Sequence, residues 1–150
     1  MPRRSCTTFV RVTVAAIALS ALAATARADP KPILPGDLRW ASPPSNPSVQ
    51  GAWVVGGEHD AGAYLFRVKI AAGGKIPPHT HPDTRSTTVL AGTIYVGFGD
   101  AFDESKMAAV PAGAVYVAPA SVAHYVWAKD GEAVYQESGV GPTATTPVAH

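Results

Sequence analysis

Three histidines lie where a shared metal ion would need them. His79 and His81 fall in the run Pro77-Pro78-His79-Thr80-His81-Pro82. In an extended segment, residues two apart leave the chain on the same face, so both imidazoles point one way. The two prolines before His79 stiffen the approach. His124 follows Val117-Ala118-Pro119-Ala120-Ser121 and opens a later strand. Neutral imidazole binds Fe, Zn, Ni and Cu. Taken alone, an H-x-H is equally a polar turn carrying two solvated histidines.

The elements around these residues read as strands. Tyr64, Phe66, Val68 and Ile70 alternate with Leu65, Arg67 and Lys69, the period of a half-buried strand. Thr87 to Leu90, Thr93 to Phe98, Val115 to Val117, Tyr125 to Trp127 and Ala133 to Gln136 are further β-type runs. Gly73-Gly74, Ala91-Gly92, Gly99-Asp100, Pro111-Ala112-Gly113 and Asp130-Gly131 punctuate them. Short strands at such spacing predict an all-β barrel or sandwich. Asp103 to Ala109 is the one stretch that reads as a helical turn. Tyr64, Phe66, Val89, Ile94, Val96 and Val126 are assigned to core or barrel lining. Tyr125 and Trp127 face away from His124, toward a sheet face or a dimer contact.

The chain of 150 residues allows one domain, and its N-terminus reads as a leader. Arg3, Arg4 and Arg11 precede the apolar run Val12 to Ala24, and Ala26-Arg27-Ala28 forms a cleavage signal before Asp29. Residues 1–28 are thus expected to be a signal peptide, and the protein to be secreted or periplasmic. The apolar run is short of the roughly 20 residues that span a bilayer. Its removal takes four of 12 Lys+Arg and none of 11 Asp+Glu, leaving a net charge of −3. That charge gives no reason to seek nucleic acid or an anionic membrane. The single cysteine, Cys6, leaves with the leader, so core packing alone must hold the domain. Residues 29–50 carry six prolines and are expected to form an extended arm pinned by Leu38 and Trp40. The folded domain is placed at 51–143, with a loose tail at 144–150. His59 reads as a solvated loop residue and His150 as part of the tail. No G-x-S-x-G, P-loop or C-x-x-C occurs, which leaves nucleophilic hydrolase, nucleotide and thioredoxin chemistry without support.

Gly73, five residues, His79-Thr80-His81, three residues, Arg85, six residues and Gly92 resemble the first cupin motif. Gly113, five residues, Pro119-Ala120-Ser121, two residues, His124, three residues and Ala128 resemble the second. The likeness runs from about Gly57 to Gly139. It implies a jelly-roll β-barrel with one divalent metal on His79, His81 and His124, Fe2+ ahead of Zn2+, Mn2+, Ni2+ or Cu2+. Three positions depart from the pattern. Ser121 replaces a turn glycine, Ala128 an asparagine, and Arg85 a glutamate that is usually the fourth ligand. Arginine stays protonated and does not ligate a cation. Either the site keeps three histidines, or metal binding has decayed; the survival of all three histidines favours the first.

Arg85 is the candidate catalytic residue. Beside a +2 ion, an inward guanidinium would attract a small anion and orient it. Arg85 could instead face solvent, or be neutralised by Glu137 or Gln136, of which strand parity lets only one face inward. The three-histidine pattern resembles cupin dioxygenases of the diketone and thiol type, which implies a small anionic, enolisable substrate. The alternative is a non-catalytic periplasmic metal or small-ligand binding cupin. A homodimer is expected, since exposed Tyr125, Trp127 and the proline-rich arm would otherwise be surplus apolar surface.

Overall fold

The computed structural model describes residues 31–149. The expected leader and its cleavage site lie outside the described residues, as does His150. Among the described residues, ten strands form two five-stranded antiparallel sheets. The first sheet has the order β1 (Val49–Val55), β2 (Gly62–Ile70), β9 (Ala133–Gly141), β4 (Arg85–Ala91), β7 (Val115–Ala118). The second has β10 (Thr146–Pro147), β3 (Lys75–Thr80), β8 (His124–Trp127), β5 (Thr93–Phe98), β6 (Ala108–Pro111). This is the jelly roll that the sequence implied.

The core lies between the sheets. Val68, Ile70, Val89 and Tyr135 from the first pack with Ile94, Val96, Val110 and Val126 from the second. Alternation explains why these strands form. Along β9, Ala133, Tyr135 and Glu137 are buried and Val134, Gln136 and Ser138 are less so. Glu137 is therefore the inward member of the Gln136–Glu137 pair. Gly92 closes the β4–β5 turn at φ +71°, where a Cβ would collide with the Glu132 carbonyl.

Strand β3 carries two prolines, which cannot donate ladder hydrogen bonds. The pairing with β8 breaks at that place, between Ile76 and His79, and resumes with His79 opposite His124. The predicted helical turn is a one-turn 3-10 helix, Glu104–Lys106, begun by Asp103, whose carboxylate accepts from Ser105 N. The arm contains a second such turn, Pro35–Asp37, and an isolated bridge between Ala41 and Gly51. Lys69 Nζ lies 5.0 Å from the centre of the Trp40 ring.

Two expectations are corrected. Tyr125 faces away from His124's side of the strand, but it is not exposed (0%). Phe102 covers it at 4.9 Å between ring centres, and its hydroxyl donates to Asp103 O at 3.1 Å. Trp127 is half-buried beneath the same segment, with Phe102 at 6.5 Å. Residues 102–103 thus cover the Tyr125 part of the surface that suggested self-association, while Ile33 and Leu34 of the arm stay exposed. The C-terminal segment is also not loose. β10 pairs with β3, with Thr146 opposite Thr80 and Pro147 opposite His79, and Val148 N donates to Pro78 O at 3.0 Å. Its order comes from backbone bonds, which leave no periodicity in the side chains.

Candidate metal centre

The strand ends bring the three histidines together. His79 on β3 and His124 on β8 are cross-strand partners with ring centres 4.3 Å apart. His81 lies just beyond β3, with ring centres 4.9 Å from His79 and 5.2 Å from His124. Backbone bonds tie the two motifs to each other: Ser121 N donates to His81 O at 2.8 Å. Ser121 holds φ +62° there, the left-handed conformation that explains why the motif favours glycine at this position.

Each imidazole is oriented through Nδ1. His79 Nδ1 lies 2.8 Å from Pro77 O, His81 Nδ1 2.7 Å from Ala144 O, and His124 Nδ1 3.4 Å from Val122 O. A carbonyl can only accept, so each Nδ1 carries the proton and each Nε2 keeps a free lone pair. The buried Nε2 of His81 has no hydrogen-bond partner among the described residues. The three candidate ligand atoms all lie within 4.8 Å of one another. Burial lowers all three pKa values, with the charge of Arg85 adding to the effect. That of His81 falls to about 3, that of His124 to about 4, and that of His79 also drops. The cluster is neutral at physiological pH, as metal binding requires. Neutral, convergent, otherwise unpartnered nitrogen donors fit a divalent transition metal.

Arg85 does not reach the surface; it is 4% exposed. Its Nη1 donates to Glu137 Oε2 at 2.9 Å, and Nη2 to Asp83 Oδ1 at 2.9 Å and Thr143 Oγ1 at 2.5 Å. The Thr143 hydroxyl in turn donates to Asp83 Oδ1, and the Tyr64 hydroxyl donates to Asp83 Oδ2 at 2.6 Å. Burial pushes the Glu137 carboxyl up, against the pull of Arg85. Burial would also raise Asp83, but hydrogen bonds from Thr143, Tyr64 and Arg85 outweigh it and hold its pKa low. Burial would lower Arg85, but Glu137 and Asp83 more than offset it.

The expected electropositive pocket therefore needs a correction. Two carboxylates surround one guanidinium, so the fixed charge of this cluster is −1 rather than +1. A divalent ion on the histidines would bring the total to +1. Any attraction for a monoanion then comes from the ion and not from a free Arg85. Asp83, Thr143 and Ala144 were not singled out from the sequence, and Tyr64 was read only as core. For Asp83, its place two residues after His81, beside an arginine, was the available signal.

A half-open cavity of about 840 Å³ reaches His79 and His81. His79, His81 and Glu137 line it together with Trp53, Phe66, Val68, Ile76 and Tyr135. Arg39, Pro43 and Asn46 of the arm also line it, as do Thr145 and Pro147 of the C-terminal segment. A smaller cavity of about 150 Å³ lies among Trp53, Tyr64, Phe66, Arg85, Thr143 and Thr145.

Residues 66–137 match the cupin domain family, and the matched stretch contains all three histidines. The chain belongs to the cupin superfamily. This cupin is 36% identical over 75 residues to germin-like protein 5-1 of Oryza sativa subsp. japonica, covering 48% of this chain and 33% of the relative. Germin-like protein 1-1 of the same plant is 33% identical over 101 residues, covering 67% and 43%. This cupin therefore spans well under half the length of these curated relatives. Among solved structures, the polyketide cyclase RemF from Streptomyces resistomycificus shares the fold with a TM-score of 0.67 at 14% identity, over 80% of this chain and 86% of RemF. Oxalate oxidase in complex with the substrate analogue glycolate has a TM-score of 0.50 at 30% identity, over 58% of this cupin and 46% of that chain.

Proposed function

We propose that this cupin holds one divalent metal ion, Fe2+ by preference, on Nε2 of His79, His81 and His124. Its reaction would be a dioxygenase-type conversion of a small enolisable or hydroxylated acid. The observation that carries the reading is the set of three Nδ1–carbonyl contacts, which leaves three Nε2 lone pairs free in a cluster whose ligand atoms lie within 4.8 Å of one another, with His79 and His81 opening on the large cavity. When bound, the ion supplies Lewis acidity and open positions for oxygen donors. The chain supplies the rest. Trp53, Phe66 and Tyr135 offer apolar walls for the body of a ligand. Arg85 acts through its contact with Glu137, as a clamp within the cavity wall. The likeness to oxalate oxidase supports a small oxygen-donor acid as the ligand class.

The test is metal analysis of protein isolated from its native compartment, followed by O2 uptake with acetylacetone and small hydroxy acids. One ion per chain and substrate-dependent O2 uptake support the reading. Metal without any O2 uptake supports the non-catalytic alternative instead. His81→Ala and His124→Ala should each lose most of the metal; full stoichiometry in both would overturn the ligand set. The proposal includes export, supported by Arg3, Arg4 and the run Val12 to Ala24 before Ala26-Arg27-Ala28. N-terminal sequencing of exported protein should begin at Asp29.

A further inference from the structure

The cupin pattern puts a glutamate where this chain has Arg85, and the structure returns a carboxylate to the cavity from another strand. Glu137 on β9 lines the large cavity together with His79 and His81. No other Asp or Glu lines that cavity among the described residues. Glu137 is 5% exposed, and Arg85 holds its Oε2 at 2.9 Å. No protein donor reaches its Oε1 among the described residues. Glu137 is not in the group of ligand atoms lying within 4.8 Å of one another. Its carboxylate oxygens therefore do not lie within 4.8 Å of all three histidine ligand atoms, while the carboxylate shares the cavity with His79 and His81.

We propose that Glu137 is the specificity-determining residue of this site, accepting a hydrogen bond from a hydroxyl or enol O–H of the ligand, so that the site takes protonated hydroxy or enol donors and disfavours dianions. The inference rests on the metal reading above and deepens it. Three observations converge on it. A carboxylate is an acceptor only, so a ligand oxygen facing it must carry a proton. Its geometry is fixed, because Arg85 is itself held by Asp83 and Thr143. The charge count agrees: the Arg85, Asp83 and Glu137 cluster at −1 with a +2 ion leaves +1, which a monoanion neutralises. A dianion would leave a net negative charge in a buried mouth, next to Glu137.

The experiment uses the full chain loaded with redox-inert Zn2+, with zinc content measured for every protein. Glycolate, the simplest hydroxy acid, and oxalate are titrated calorimetrically into the wild type and into E137Q. The amide of E137Q keeps the size but loses the charge, and it can donate. Glycolate affinity should fall at least tenfold, while oxalate affinity stays level or rises, the loss expected of a charge-assisted hydrogen bond. Equal shifts for both ligands, or none, would overturn the role of Glu137. A second measurement needs no variant. Methoxyacetate lacks the hydroxyl proton and should bind the wild type at least tenfold more weakly than glycolate; equal binding also overturns the inference. If the wild type holds no zinc, the metal reading itself fails, and this inference with it. Zinc retained with unchanged selectivity removes only the role of Glu137.

Discussion

The backbone oxygen of Ala144 lies 2.7 Å from Nδ1 of His81. A residue in the last stretch of the chain therefore fixes the ring orientation of a candidate metal ligand. Thr145 Oγ1 lies 3.4 Å from the same nitrogen, and β10 pairs alongside His79 and Thr80. The C-terminal segment acts as a strap over β3.

Ending the chain after Pro142 should therefore weaken metal binding by about 10- to 100-fold, the usual effect of losing a second contact to a ligating histidine. A chelator competition titration measures it. A synthetic peptide of residues 143–150 added in trans should restore part of the affinity. Unchanged affinity in the truncated chain would show that His81 is held by the barrel alone.

The all-β architecture was legible from glycine turns between short strands, and the jelly roll and the three-histidine set through the resemblance to the two cupin motifs, whose spacing is fixed. The strap was not, since its order comes from backbone bonds of Val148 and Ala144 that any sequence can make. Tyr125 was placed on the correct face, but its cover by Phe102 is a tertiary contact that strand parity does not reveal. Glu137 was legible only as one of two candidates, until the alternation of Ala133, Tyr135 and Glu137 fixed which of them faces inward. Arg85 showed its position and, in Glu137, one of two possible partners, but not Asp83 or Thr143. Asp83 and Thr143 are 60 positions apart in the chain and meet only in the fold.

The buried histidines predict acid sensitivity of the metal-free protein. Their folded pKa values are lowered, to about 3 for His81 and about 4 for His124, against an ordinary value near 6.5. Below pH 6.5 the unfolded chain takes up protons that the folded chain refuses. Stability should therefore fall as pH drops from about 6.5 toward about 4. Urea midpoints across that range measure it, with His79→Gln/His81→Gln/His124→Gln as the comparison. A triple variant with the same slope as the wild type would assign the effect elsewhere.

Ser121 offers a gain in stability. It holds φ +62°, a conformation costing a residue with a Cβ about 1–2 kcal/mol. Glycine removes that strain but makes the unfolded chain more flexible. Ser121→Gly should therefore stabilise by a net of about 0.5–1 kcal/mol. Its side chain makes no hydrogen bond among the described residues, and its backbone N–H to His81 O is retained. Thermal denaturation at neutral pH should show a melting temperature raised by a few degrees; a decrease would mean that the hydroxyl has a role of its own.

Removing the guanidinium of Arg85 should be the most damaging single change outside the core. Arg85→Met keeps much of the volume but leaves half-buried Asp83 and buried Glu137 without their shared counter-charge. Breaking a buried pair in this way costs about 3–5 kcal/mol. The defect should depend on pH in a stated direction. The folded pKa of Asp83 is held low, partly by Arg85, so the stability this gives is present above its unfolded pKa of roughly 4. It is lost as pH falls below that value. The gap between wild type and variant should thus be widest near pH 7 and narrow below pH 4. The same substitution takes the cluster from −1 to −2, so affinity for a divalent ion should rise in whatever fraction folds. Urea unfolding at pH 7 and pH 3.5, with zinc titration at pH 7, separates the two effects. A variant as stable as the wild type at pH 7 would mean that Asp83 and Glu137 relax to solvent or share a proton at little cost, and that the network does not hold the cavity wall.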